Sequence, residues 1–252
     1  MDPMDNTTLY VLRLADACLI HGQRLAEWCG HAPVLEEDIA LTNVALDHIG
    51  QARALLTLAG QLEGRGRDED SLAFLREERE YRNPTLLELP VGDFAVTVLR
   101  SFLWSSFMKP LCEALAGSSN AQLAAIAAKS LKEVRYHWQH SADWVVRLGD
   151  GTPESQRRMQ AALLLLWPYT AEWFDDDEVD RAAQASGLGP AWSTLHDAWR
   201  ALVDPVLAEA TLAPAGDTPF RSTGKRGVHS EHMGYLLAQM QALPRAFPGA
   251  TW

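Results

Sequence analysis

AKSLKEVRYHWQHSADWV, residues 128–145, has helical spacing and sets charge and imidazole on one face of the helix. One turn before Glu133 come Lys129 and Ser130, one turn after it Tyr136 and His137, and then His140, so a single stripe reads Lys/Ser, Glu, Tyr/His, His. The rest of the helix is largely Ala, Leu, Val and Trp. Polar groups facing a core are costly unless they are paired or bind a metal, so the stretch predicts partners for Glu133, His137 and His140 elsewhere in the chain.

Outward from it, long apolar-periodic segments alternate with short Gly, Pro and Ser breaks. Thr7–Cys29 carries Leu9, Leu12, Ala15, Leu19 and Ala26 at helical spacing with Asp16 on the same stripe, and Gly30 stops it. Val34–Leu62 follows after a short connection, which predicts an antiparallel hairpin. Residues 65–92 hold a short charged helix, DEDSLAFLREERE, then NPTLLELPVG, which reads as a surface connection. Asp93 caps a third long helix, Phe94–Leu115, with Pro110 as an expected kink or break, and a fourth runs from Ala121 to Leu148. Beyond GDGT come helices over Pro153–Phe174, from Asp176, over Pro190–Ala210 and over Ser230–Leu243, the last closed by Pro244. No alternating strand, repeat or low-complexity tract interrupts this order. The expected fold is all-α: two helical hairpins joined by a crossover, a ferritin-like four-helix bundle with additional C-terminal helices, forming one domain over residues 1–252.

Composition narrows the functional classes. A chain of 252 residues with 47% hydrophobic content can bury a large core. Its net charge of −11 opposes a nucleic-acid partner, which needs a basic face. Cys18, Cys29 and Cys112 are odd in number and lack C-x-x-C spacing, so neither a disulfide framework nor a zinc site is expected and a reduced, cytoplasmic setting is. MDPMDNTTLY lacks the basic and apolar regions of a leader, and the longest apolar run, Ala161–Trp167, is too short to span a bilayer, so no membrane partner is expected. The nine tryptophans read as core, with some left for an interface.

A ferritin-like bundle that activates dioxygen needs a Glu from each of two helices and Glu-x-x-His from each of the other two. Hairpin mirror symmetry sets Asp47 against Asp16, and sets Glu133 against Trp104 or Ser105. Yet Gly50 stands three residues after Asp47, Tyr136 three after Glu133, and Phe94–Cys112 contains no acid. What remains is Asp16, Asp47 and Glu133, the outline of a di-iron site without its nitrogen ligands; no catalytic or metal-binding residue is assigned. On the plainer reading these acids pair with cations such as Lys129, Lys132 or Arg53. The alternative is a metal-binding protein or oxygenase with its own site around Glu133, His137 and His140, spaced along one helix. His48, roughly 100° round the helix from Asp47, reads as a surface or interface residue. His229, Glu231 and His232 lack H-E-x-x-H spacing and read as helix-start packing. Lys225 and Arg226, between Gly224 and Gly227, sit in a loop that is either solvated or in contact with a phosphate.

Four longer stretches carry a family resemblance: LRLADACLIHGQRLAEWCGHAPVLEEDIALTNVALDHIGQAR from Leu12, DEDSLAFLREERE from Asp68, AAIAAKSLKEVRYH from Ala124 and TGKRGVHSEHMGYLLAQMQALPRAFPGATW from Thr223. Over essentially its whole length the chain resembles the C-subunit family of bacterial ring 1,2-phenylacetyl-CoA epoxidases, the non-catalytic, ferritin-like component of a multicomponent monooxygenase. The resemblance implies a cytoplasmic role in phenylacetate catabolism as a structural subunit with no cofactor of its own. It also implies a catalytic ferritin-like partner that holds the di-iron centre, and a reductase that passes electrons from NADPH through flavin and iron–sulfur groups. CoA thioester contact, with Lys225 and Arg226 at its phosphates, is expected only at a shared interface, and self-association is a second partner class. None of the catalytic partner's ligand roles transfers, because its pattern fails at Gly50, at Tyr136 and along Phe94–Cys112.

Overall fold

Helix starts follow the capping residues. Asp5 accepts the Thr8 N–H at 2.9 Å and opens α1 (Asn6–Ala26). A non-helical turn leads into α2 (Leu35–Glu63), which ends at Gly64, whose φ of +67° is the left-handed geometry glycine adopts freely. Asp68 caps α3 (Glu69–Phe74), Asp93 caps α4 (Phe94–Leu115) by accepting the Val96 N–H at 3.0 Å, and Asn120 caps α5 (Ala121–Gly149). The remainder is α6 (Pro153–Thr170), α7 (Glu178–Ser186), α8 (His196–Glu209) and α9 (Glu231–Ala246), linked by short 3-10 turns.

This computed structural model describes residues 4–216 and 218–250. Met1–Pro3, Asp217, Thr251 and Trp252 lie outside it, and with them the start of the segment read for a leader, one position of the loop before Lys225 and the end of the last family stretch. Among the described residues the chain is all-α, the one isolated β-bridge pairing Thr223 with Val228. No helix among them is long and apolar enough to cross a membrane.

The hairpins α1/α2 and α4/α5 pack into a four-helix bundle. Helices α6 and α8 cover α4 and α5, α7 lies on α1, and α9 lies on α3. Helix α1 is buried almost all round, which is why Arg13, Asp16, His21 and Arg24 all need partners inside the protein. Trp104, Trp173, Trp192 and Trp199 are fully buried, while Trp138 and Trp144 pack at the edge of the core.

Helix α4 has its expected bounds and is unbroken at Pro110. Two expectations need correction. Helix α9 continues through Pro244 to Ala246, because the proline falls in its last turn, where only two residues follow it. The NPTLLELPVG connection is not on the surface: Asn83, Thr85, Leu86, Leu87 and Glu88 are buried. The segment 222–233 lies over it, with the Gly224 N–H donating to Thr85 Oγ1 at 3.0 Å and the Ser230 N–H donating to Glu88.

Candidate functional site

Three imidazoles meet where α1, α2 and α5 face one another. His21 and His48 pack edge to face with ring centroids 4.8 Å apart, and His48 lies 4.9 Å from His137. Helix α4 contributes Ser101, whose Oγ is 3.4 Å from His21 Nε2, and one turn on Ser105 lies 3.4 Å from Ser141 of α5. Close approach of α1 and α2 beside them depends on Gly22, where a Cβ would stand 3.1 Å from Ile49 and 3.2 Å from the His48 Cβ. A cavity of about 10 Å³ between His21, His48, His137, His140, Ser101 and Ser141 is on the scale of one water molecule.

Burial pushes the pKa of His21 well below the usual histidine value, with nearby Arg100 and His137 adding to the effect. Burial does the same to His48, next to His21 and His137. Both rings are therefore neutral at physiological pH. The Nδ1 atoms of His21, His48 and His137 are buried and bond to no protein group. Arg100 is buried as well, and desolvation lowers its pKa to about 9. One of its guanidinium nitrogens donates to the Pro90 carbonyl at 2.5 Å.

The carboxylates read from the sequence do not converge. His137 Nε2 donates to Asp47 at 2.9 Å, and His140 Nε2 donates to Glu37 at 3.0 Å. Glu133 accepts from Gln51 Nε2 at 2.8 Å, and Cys18 Sγ approaches the same Gln51 at 3.5 Å. Asp16 turns away toward the crossover. It is fully buried, paired with both terminal nitrogens of Arg76, and accepts the Arg82 N–H at 2.8 Å. Asp16, Asp47 and Glu133 thus occupy three separate hydrogen-bonded positions.

Their expected charge partners are wrong in kind. Arg53 pairs with Glu69 at the surface, and Lys129 and Lys132 are exposed and make no ion pair with any described residue. Arg76 neutralises Asp16 instead. His48 also reverses expectation: it is core, and Asp47 is the residue at the bundle edge.

A di-iron centre needs carboxylates that bridge two cations, and this donor set does not fit one. At the level of the imidazoles α4 offers hydroxyls, and the carboxylates of α2 are each committed to one histidine. The alternative cluster of Glu133, His137 and His140 fails for the same reason, since the three bond to Gln51, Asp47 and Glu37 respectively. Among the described residues no group of three or more His, Cys, Asp or Glu side chains, the three packed imidazoles included, is arranged to hold a metal ion.

Lys225 and Arg226 are not a solvated phosphate loop. Lys225 is buried with Nζ 3.0 Å from Asp180, which also binds Arg13 at 2.7 Å, while the Lys225 N–H donates to Glu172 at 2.7 Å. Arg226, half-exposed, pairs with Asp175 at 2.8 Å. Four acids from the α6–α7 region, Glu172, Asp175, Asp177 and Asp180, thus anchor the C-terminal segment and Arg13 of α1. His229 is likewise internal, donating to Glu88 at 2.7 Å, which agrees with packing ahead of α9.

Sequence reasoning missed His21 and Arg76. No sequence signal marks His21, because its level follows from a hairpin register that only the structure supplies: Gly22 packs on Ala45, His48 and Ile49, and Cys18 on Gln51, so the level of Asp47 on α1 is Gly22. Mirror symmetry about the middle of the connection places it at Asp16, about 9 Å too early along the axis.

Architecture and site together define a ferritin-like bundle whose centre holds imidazoles and hydroxyls in place of bridging carboxylates. The chain belongs to the phenylacetic acid catabolic protein family, whose model matches residues 2–252. It is similar to the C subunit of 1,2-phenylacetyl-CoA epoxidase from Escherichia coli (strain K12), with 48% identity over 249 residues, covering 99% of this chain and all of that protein.

Proposed function

We propose that this chain is the structural C subunit of a 1,2-phenylacetyl-CoA epoxidase, serving phenylacetate catabolism in the cytoplasm. On this reading it carries no cofactor and supports a separate, ferritin-like catalytic subunit that holds the di-iron centre. Flavin, iron–sulfur and NADPH chemistry belongs to a reductase. The observation that carries the reading is the bundle centre, where His21, His48, His137 and Ser101 stand and each nearby carboxylate is already hydrogen-bonded. Similarity along almost the whole chain to the Escherichia coli epoxidase component supports it.

Reconstitution tests it. Catalytic subunit, reductase, NADPH and phenylacetyl-CoA are combined with and without this chain, and epoxide formation and solubility of the catalytic subunit are followed. Activity is expected only when the chain is present, and none from the chain with reductase alone. Full turnover by a stable catalytic subunit without it would refute the structural role.

A further inference from the structure

The bundle encloses a second space next to the imidazoles. Cys18 stands one turn before His21 on α1 and Gln51 one turn after His48 on α2, and beside them a crevice of about 20 Å³ runs between Leu14, Leu55, Met108, Leu115, Leu123 and Ala127. All four long helices contribute to its wall, and none of those six side chains is more than 5% exposed.

The two spaces suit different occupants. Among the imidazoles, unpaired ring nitrogens and hydroxyls can hold a water. A buried water needs roughly two to four hydrogen-bond partners, and the crevice does not supply them. Its Gln51 amide is used at both ends, with Nε2 donating to Glu133 at 2.8 Å and Oε1 facing the Cys18 thiol at 3.5 Å. Ser130 brings the one hydroxyl in the lining. Apolar cavities of this kind stay dry and take up apolar ligands, and the volume here is on the scale of a diatomic molecule rather than a ring.

Access and chemical inertness point the same way. Gln51, Ile126 and Ser130 line both the crevice and a groove of about 220 Å³ between α2 and α5, so a small molecule has a short way in. The groove also carries Asp47, Lys129 and Glu133, and the wall becomes apolar only inward of Ile126. Cys18 and Cys112 both face the crevice. Burial pushes the Cys112 thiol up to about 12 and raises that of Cys18 too, so both are neutral at physiological pH. Neutral buried thiols behave as small apolar groups and lack the reactivity of a thiolate, so an oxidant can rest between them unconsumed.

We propose that this crevice is a binding site for dioxygen, entered between Gln51, Ile126 and Ser130. The identity of the ligand rests on the functional reading above, since an epoxidase of the monooxygenase class draws its oxygen atom from this apolar diatomic gas. The size and dryness of the crevice are independent of that reading.

The test uses dissolved dioxygen as a paramagnetic probe of the full chain, labelled at its Met and Leu methyl groups, with relaxation recorded under dioxygen and under nitrogen. The Met108 and Leu55 methyls are expected to gain several-fold more relaxation from dioxygen than those of Met159 and Met233, which are buried elsewhere in the core. Ala127→Leu fills the crevice and is expected to bring Met108 down to the level of Met159 and Met233 while leaving theirs unchanged. Cys112→Leu fills it from α4 and serves the same purpose if thermal melting shows that Ala127→Leu does not fold. Equal gains at Met108, Met159 and Met233 in the wild type would overturn the site, and so would a nuclear Overhauser contact between the Met108 methyl and a long-lived water. The reconstitution described above tests the reading separately: a chain that takes up dioxygen here yet is dispensable for epoxide formation keeps the site and refutes the structural role.

Discussion

Two buried imidazoles make the stability of this protein fall steeply in mild acid. His21 and His48 titrate below the unfolded value of 6.5 because burial disfavours their charged forms, so the unfolded chain takes up protons first as pH falls. Their contribution is therefore neutral above pH 6.5 and destabilising below it, growing until the folded rings themselves protonate. At pH 5.5 the unfolded state gains about 1.4 kcal/mol for each histidine that stays neutral in the native state, or about 2.8 kcal/mol for the pair. The assay is urea unfolding at pH 7.5 and 5.5 of the wild type and of a His21→Gln, His48→Gln double variant. Every other titrating group is common to both, so the pH-dependent loss should be about 3 kcal/mol larger in the wild type. Equal losses, within about 0.5 kcal/mol, would refute the claim that these rings are held neutral in the core.

Two further outcomes follow from the buried charge networks. Arg76→Ala should destabilise the protein by about 3–5 kcal/mol in urea titration, because it leaves the Asp16 carboxylate buried without a cation, and Asp16→Leu combined with Arg76→Leu should cost less than Arg76→Ala alone. Lys225→Met should cost about 1–3 kcal/mol, since Asp180 keeps Arg13, and should speed tryptic cleavage at Arg221, whereas a solvated phosphate-binding loop would show neither effect.

Much of the fold was legible because the long helices advertise both ends. Asp93 and Asn120 are caps whose side chains accept first-turn N–H groups, and the helices they open begin at Phe94 and Ala121 as read from the sequence. The missing acids of α4 were legible too, since a run without Asp or Glu needs no register to interpret. Which groups replaced them was not. That question depends on helix register, and an eight-residue connection, 27–34, gives no mirror centre until its path is known. Helix α1 adds a second obstacle: with almost every side buried, its polar residues do not mark a solvent face, so Arg13, Asp16 and His21 look alike in sequence while pointing to three different neighbours. The anchoring role of Lys225 lay hidden for a related reason. A Gly-Lys-Arg-Gly segment reads as a solvated or phosphate-contacting loop unless the acids that fix it, more than 40 residues away in the chain, are known to be adjacent.

A di-iron centre does two jobs at once in a bundle: its cations neutralise buried carboxylates and tie four helices together. Four carboxylates kept at this level without cations would cost several kcal/mol each. Here the two jobs are separated. The α1 acid is neutralised by Arg76 from the crossover, and the tying is divided among small bridges: Asp47–His137, Gln51–Glu133 and Glu37–His140 between α2 and α5, and Ser105–Ser141 between α4 and α5. Each bridge contributes only about 1 kcal/mol net, yet three of the four fall on the seam between α2 and α5, where one hairpin meets the other. The polar pairs therefore fix the spacing of the two hairpins at the level where a di-iron centre would otherwise do so.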